Sequence, residues 1–192
     1  TKYTTSTSQA IRKWAGTALP SVYGSFGSNL RWKDLSLSML MTYSLGGKTM
    51  DGSYRSLMST GSASSAAALH KDVLNSWNGA PDGMTATSPN RIDPNGTPIL
   101  DFNGSNDNNA VSDRWLTSSS YFIMKNIMLT YRLPKALVTK WGLGGISVKA
   151  GVENLFTLTS RKGLNPQYSF AGDSDNTYVS ARVFNFGLTV DL

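Results

Sequence analysis

The chain holds few residues able to carry out covalent or metal chemistry. Cysteine is absent and histidine occurs once, as His70. That excludes thiolate and multi-histidine metal sites. His70 stands beside Lys71 and Asp72 in a stretch that reads as a solvated surface helix. The serine runs at 62–65 and 118–120 read as linkers or strand edges, because neither sits in a strand–turn–helix nucleophile elbow. Oxygen side chains alternate at Asp101, Asn103, Ser105, Asp107 and Asn109, the spacing of a calcium loop. The sixth position, which needs glycine, is Asn106, and the twelfth is Ser112 rather than glutamate, so a polar loop with Asx turns is expected. The GLGG at 142–145 precedes a strand rather than a helix and fails as a nucleotide loop. The expectation is a non-enzyme with no cofactor and no metal. Three aromatics in candidate loops, Trp77, Trp115 and Tyr168, could stack on sugar rings or meet a partner, with packing inside the loops as the competing reading.

Composition narrows the class. The 192 residues carry 18 Lys and Arg against 12 Asp and Glu, a net charge of +6. Charged residues are only 16%, below the roughly 25% usual for soluble domains. Serine, threonine, asparagine and glycine make up 76 of the 192 residues, which favours strands, turns and polar loops over long helices. The positive charge is scattered, with no Lys/Arg run beyond two residues, so nucleic acid is not an expected partner. No apolar run is long enough for a membrane helix, and no signal peptide is visible. The opening TKYTTSTSQ reads like the interior of a longer protein.

Alternation with period two dominates the rest. At 22–32, Phe26, Leu30 and Trp32 oppose Ser25, Gly27, Asn29 and Arg31. At 35–45, Leu35, Leu37, Met39, Met41, Tyr43 and Leu45 share a face. At 121–133, Ile127, Leu129, Tyr131 and Leu133 oppose Asn126, Met128, Thr130 and Arg132. At 146–153, Ile146, Val148, Ala150 and Val152 alternate with Ser147, Lys149, Gly151 and Glu153. At 182–192, Phe184, Phe186, Leu188, Val190 and Leu192 line one face. Most of these segments approach the 9–11 residues or so that a tilted strand needs to cross a bilayer. Their polar faces carry small residues, as in the wall of a wet or plugged lumen. Trp32, Tyr43, Tyr121 and Tyr131 lie near strand ends, where interfacial girdles form. Connections alternate between short (33–34 and 134–145) and long (46–120 and 154–181), the habit of outer-membrane barrels. Within the longest, residues 51–60 and 64–77 could form short helices. Five strands cannot close a barrel, so further wall is expected elsewhere.

Four stretches carry a family resemblance, in order: VYGSFGSNLRWKDLSLSMLMTYSLGGK at 22–48, YFIMKNIMLTYRLPKAL at 121–137, ISVKAGVENLFTLTSRKGLNPQ at 146–167, and the terminal RVFNFGLTVDL. Together they resemble the C-terminal part of SusC/RagA-type TonB-dependent outer-membrane transporters, over about residues 17–192. One departure is Leu192, where the family more often ends in phenylalanine. The resemblance implies an all-β fold, with this chain supplying about the last five strands of a roughly 22-strand transmembrane antiparallel barrel with a plugged lumen. It divides the chain into an extracellular loop segment at 1–20, a strand pair at 21–45, a long extracellular loop at 46–120 and the last three strands at 121–192. It also implies uptake of glycans or peptides, a SusD-like surface lipoprotein as lid, and a TonB complex acting through a missing N-terminal part. The partners would then be that lipoprotein, the remaining barrel and plug, and the lipid of the bacterial outer membrane. The rival is a soluble or surface-exposed β-sandwich that binds glycans. It would have to bury the apolar face of 184–192 under a second sheet.

Overall fold

The computed structural model describes residues 7–59, 68–75, 109–160, 163–165, 167, 171–174 and 179–192. In chain order the elements are β1 (Val22–Trp32), β2 (Leu35–Leu45), β3 (Lys48–Asp51), α1 (Gly52–Leu57), β4 (Leu116–Ser118), β5 (Tyr121–Arg132), α2 (Lys135–Val138), β6 (Gly145–Thr159), β7 (Asp173–Ser174) and β8 (Val183–Asp191). Two compact units emerge. One comprises Thr1–Gly16, Met50–Leu116 and Asp173–Asn176; the other comprises Thr17–Thr49, Thr117–Gly172 and Thr177–Leu192.

The second unit is built on one five-stranded sheet in the order β1-β2-β5-β6-β8. Every neighbouring pair is antiparallel. The strands of 11, 11, 12, 15 and 9 residues are long enough for a bilayer crossing. Among the described residues no second sheet covers this one: Phe186 is 81% exposed and Leu188 68%. That is the opposite of what a sandwich requires. No helix among the described residues is long and apolar enough to cross a membrane, which says nothing about crossing by strands.

The register breaks once, and the break matters. Leu40 of β2 faces Asn126 of β5, while the next residue, Met41, faces Met124, leaving Lys125 as an extra residue. On β6, Asn154 and Leu155 stand between Glu153, opposite Asn126, and Phe156, opposite Met124. This β-bulge inverts the parity of β5 beyond it, while β2 and β6 keep theirs. Unbroken alternation puts Tyr121 and Ile123 on the apolar face. Instead Phe122 and Met124 take those places, and Ile123 turns to the other face, where it is fully buried between Thr42 and Thr157 in register. Tyr121, opposite Ser44 and Thr159, therefore leaves the expected girdle. The bulge also carries β6 as a strand to Thr159, past Glu153 where the simple alternation ends. Asn154 adopts the left-handed φ of 50° that asparagine tolerates better than other side-chain-bearing residues. Its Nδ2 donates to the Ala181 carbonyl at 3.0 Å, just ahead of β8.

At the end opposite the short turns, a hydroxyl clasp ties the strand stems. The Gly46 amide donates to Ser120 Oγ (3.0 Å), Ser119 Oγ donates to the Gly46 carbonyl (3.2 Å), and the Ser119 amide donates to the Gly47 carbonyl (3.2 Å). Ser160 Oγ donates to the Ser118 carbonyl at 2.6 Å, bringing β6 into the same clasp. The Ser118–Ser120 run is thus a strand-edge fastener. Gly46 and Gly47 have φ of 86° and 78°, and a Cβ on Gly47 would meet Ser119 Oγ at 2.5 Å and the Ala18 carbonyl oxygen at 2.8 Å.

Two outcomes follow for unfolding of the complete barrel in lipid vesicles. Gly47→Ala combines left-handed strain with a backbone collision and should lose at least about 2 kcal/mol. Asn154→Ala should lose about 1–2 kcal/mol, and Asn154→Gly roughly half of that, because glycine removes the strain and leaves only the lost hydrogen bond. Equal losses for the two Asn154 variants would show that the bulge conformation is not under strain.

Candidate functional site

The sheet's function resides in its two faces, which the register makes explicit. Across the strands from β1 to β8, one face reads Trp32–Leu35–Tyr131–Val148–Leu188, then Leu30–Leu37–Leu129–Ala150–Phe186, then Ser28–Met39–Ile127–Val152–Phe184. Beyond the bulge it continues as Phe26–Met41–Met124–Phe156 and Gly24–Tyr43–Phe122–Leu158. Phe122 and Phe156 stack with ring centroids 6.1 Å apart. The opposite face reads Arg31–Ser36–Thr130–Lys149–Gly187 and Asn29–Ser38–Met128–Gly151–Asn185, with Glu153 accepting from Asn185 Nδ2 at 3.4 Å. An apolar band several residues tall backed by a small-residue polar face is the arrangement of a wall between hydrocarbon and a wet interior.

Glycine at 151 leaves room on that polar face for the ends of two side chains. A Cβ there would meet Asn185 Oδ1 at 2.2 Å and the Met128 thioether below 3 Å. The bulged Lys125 donates through Nζ to Gln167 Oε1, and Gln167 in turn bonds the buried Asn165 Oδ1 through its amide (3.3 Å) and its Nε2 (3.1 Å). The GLNPQ stretch is thereby fastened to the bulge, a pairing that alternation alone could not reveal.

The first unit is organised around Trp115. Met58, Val73 and Trp115 form its buried cluster, with Met50 and Tyr54 packed against it. Asp51, itself buried, caps α1 by accepting from the Tyr54 amide at 2.9 Å. The Tyr54 hydroxyl donates to Asp72 Oδ2 at 2.9 Å, and its ring meets those of His70 and Trp115 edge-on at 4.8 and 5.9 Å. Arg114 lies 4.6 Å over the Trp115 ring. Partial burial there lowers its guanidinium from the ordinary value, opposed by Tyr54. The helix expected at 51–60 is present as α1. Of the one expected at 64–77, the described residues show only a 3-10 turn at Lys71–Asn75. His70 is not a solvated helix residue: it precedes that turn, half-buried against Tyr54.

Of the three candidate contact residues, Trp77 and Tyr168 lie outside the described residues. Trp115 is 2% exposed and donates through Nε1 to the Ala110 carbonyl at 2.9 Å, so its ring is committed to packing. Of the calcium-like stretch, 101–108 lies outside the described residues.

No protein-family model matches the chain. It is 25% identical to TonB-dependent receptor P3 of Formosa agariphila over 194 residues, which is 95% of this chain and 17% of that protein. It is 21% identical to TonB-dependent receptor P39 of the same organism over 83% of this chain and 14% of the relative. In fold it matches the RagAB peptide importer in its 'closed-closed' state with a TM-score of 0.70 and 24% identity, over 94% of this chain and 18% of that one. The 'open-open' state matches at 0.69. The chain thus spans less than a fifth of the length of the proteins it matches. It resembles TonB-dependent receptors in sequence along nearly its whole length, and its fold is that of a SusC/RagA-type barrel wall.

Proposed function

We propose that this chain is a stretch of wall in a TonB-dependent outer-membrane transporter, close to the C-terminal end of a barrel of roughly 22 strands. The observation that carries the reading is the register. Every row across the five strands is dominated by apolar side chains on one face and by small or polar ones on the other, with both sheet edges open. Lipid tolerates no open edge, so β1 and β8 pair with other strands of the same barrel. The short turns after β1 and β5 face the periplasm, and the long connections, including the unit around Trp115, face outward.

The transported material is a glycan or a peptide, and a SusD-like lipoprotein closes the mouth. Support comes from the motif resemblance and from the fold shared with a peptide importer. In this reading Trp77 and Tyr168 are the stacking or lid-contact residues. Trp115 acts indirectly, holding the loop unit in shape through its cluster with Met58 and Val73. The energy comes from the TonB complex, acting on a part of the transporter outside this chain.

Adjacent residues on β5 test the assignment of faces in the complete barrel. Ile127→Arg should cost about 2–4 kcal/mol of unfolding free energy in lipid, and Asn126→Arg under about 1 kcal/mol. Similar costs at the two positions, or a polypeptide that stays folded and monodisperse in water without detergent, would sink the membrane reading.

A further inference from the structure

The short-turn end of the sheet carries side chains that neither the hydrogen-bond ladder nor the polar face uses. Two turns meet there. The Arg132 amide donates to the Asp34 carbonyl at 2.8 Å, joining the β1–β2 turn to β5. After β5, α2 runs into a 3-10 turn at Thr139–Trp141 that ends on Gly142 with φ 72°. Val138 of this short helix is 1% exposed, while Leu137 is 47% and Trp141 62% exposed. Leu137 and Trp141 are the large apolar side chains that this turn leaves exposed. Lys135 and Lys140 are exposed beside them. On the neighbouring turn Lys33 lies 5.1 Å from the exposed Trp32 ring. Asp34 is the one acidic residue in the two turns. Among the described residues no carboxylate is within ion-pair distance of Lys33, Lys135 or Lys140.

We infer that this end is a seat for anionic phospholipid headgroups. The inference rests on the membrane reading above and adds to it a headgroup preference. Trp32, Leu137 and Trp141 enter the boundary between headgroups and acyl chains, where indole rings are favoured. The three lysine stems lie along that apolar surface, and their ammonium groups reach the phosphates. Charge complementarity selects the occupant: Lys33, Lys135 and Lys140, against Asp34 in the turns and Asp191 beside Gly145, leave a cationic excess that suits a negatively charged surface. A protein partner fits less well, since the core of a protein interface is depleted in lysine. Trp32 also begins the apolar row Trp32–Leu35–Tyr131–Val148–Leu188, so one surface serves acyl chain and headgroup in succession.

The test uses the complete polypeptide, otherwise free of cysteine, in bilayers of defined composition. Ala136→Cys, exposed between Lys135 and Leu137, takes a fluorophore. Quenching is compared between spin-labelled phosphatidylglycerol and spin-labelled phosphatidylcholine at equal mole fraction. We expect phosphatidylglycerol to quench about threefold more at low salt, with the ratio falling toward one at high salt. In Lys33→Gln/Lys135→Gln/Lys140→Gln the ratio should also be near one, while Lys149→Gln on the polar face should keep it. Equal quenching by the two lipids in the unsubstituted turns, or an undiminished ratio in the triple variant, overturns the headgroup assignment and leaves the membrane reading intact. No quenching by either lipid, with the emission of a fully water-exposed label, overturns both. A label shielded from both lipids yet blue-shifted in emission would assign the end to a protein partner and overturn the inference.

Discussion

The lateral hydrogen-bond ladder from β1 to β8 is the constraint on which the rest depends. A sheet one layer thick has no second layer to pack against, so its order comes from neighbouring strands pairing in register. On one face most pairings set apolar across from apolar, and on the other small or polar residues predominate. A slip of one residue would transpose the faces of a strand and put serine and lysine into hydrocarbon. The extreme exposure of Phe186 and Leu188 is what a wall facing lipid, as proposed here, looks like without that solvent.

The bulge at Lys125 and Asn154 is the one place where the ladder changes phase, and several features converge there. It rotates Phe122 and Met124 onto the apolar face, in line with Phe156 and Leu158 of β6, and sends Ile123 to the other. It places Asn154 where its amide reaches the approach to β8, and Lys125 where its ammonium holds Gln167. One inserted residue therefore extends the apolar band to the long-loop end and anchors two connections on the sheet. Bulges commonly serve this purpose, re-aiming side chains at the rim of a barrel.

The loop unit solves a different problem. A connection of some 75 residues between β2 and β5 pays for its order only if it buries something of its own. It does so with a small cluster, Met58, Val73 and Trp115, stiffened by the capped α1 and by the Tyr54–Asp72 hydrogen bond. The aromatic that looked free to stack on a ligand is the centre of that cluster. A large indole in a polar segment is the best source of buried area available, and its N–H finds the Ala110 carbonyl. The pair of glycines at 46 and 47 and the serines at 118–120 fasten the strand stems to one another.

Alternation in the residues alone determined the strands: 22–32 and 35–45 agree with β1 and β2 residue for residue, and the others agree within the simple repeat. It determined the apolar face wherever the repeat is unbroken, because period-two placement is a property of the backbone and needs no partner. The ordered motifs pointed to the family for the same reason, since each is local. Three things were decided only in the folded chain. The bulge is invisible in one strand, because it exists only as a count of residues against a neighbour. The pairing of Lys125 with Gln167 joins residues 42 apart, which no local pattern specifies. And whether Trp115 is a ligand platform or a core residue depends on what surrounds it in space: burial is a property of the assembled neighbours, not of the residue type.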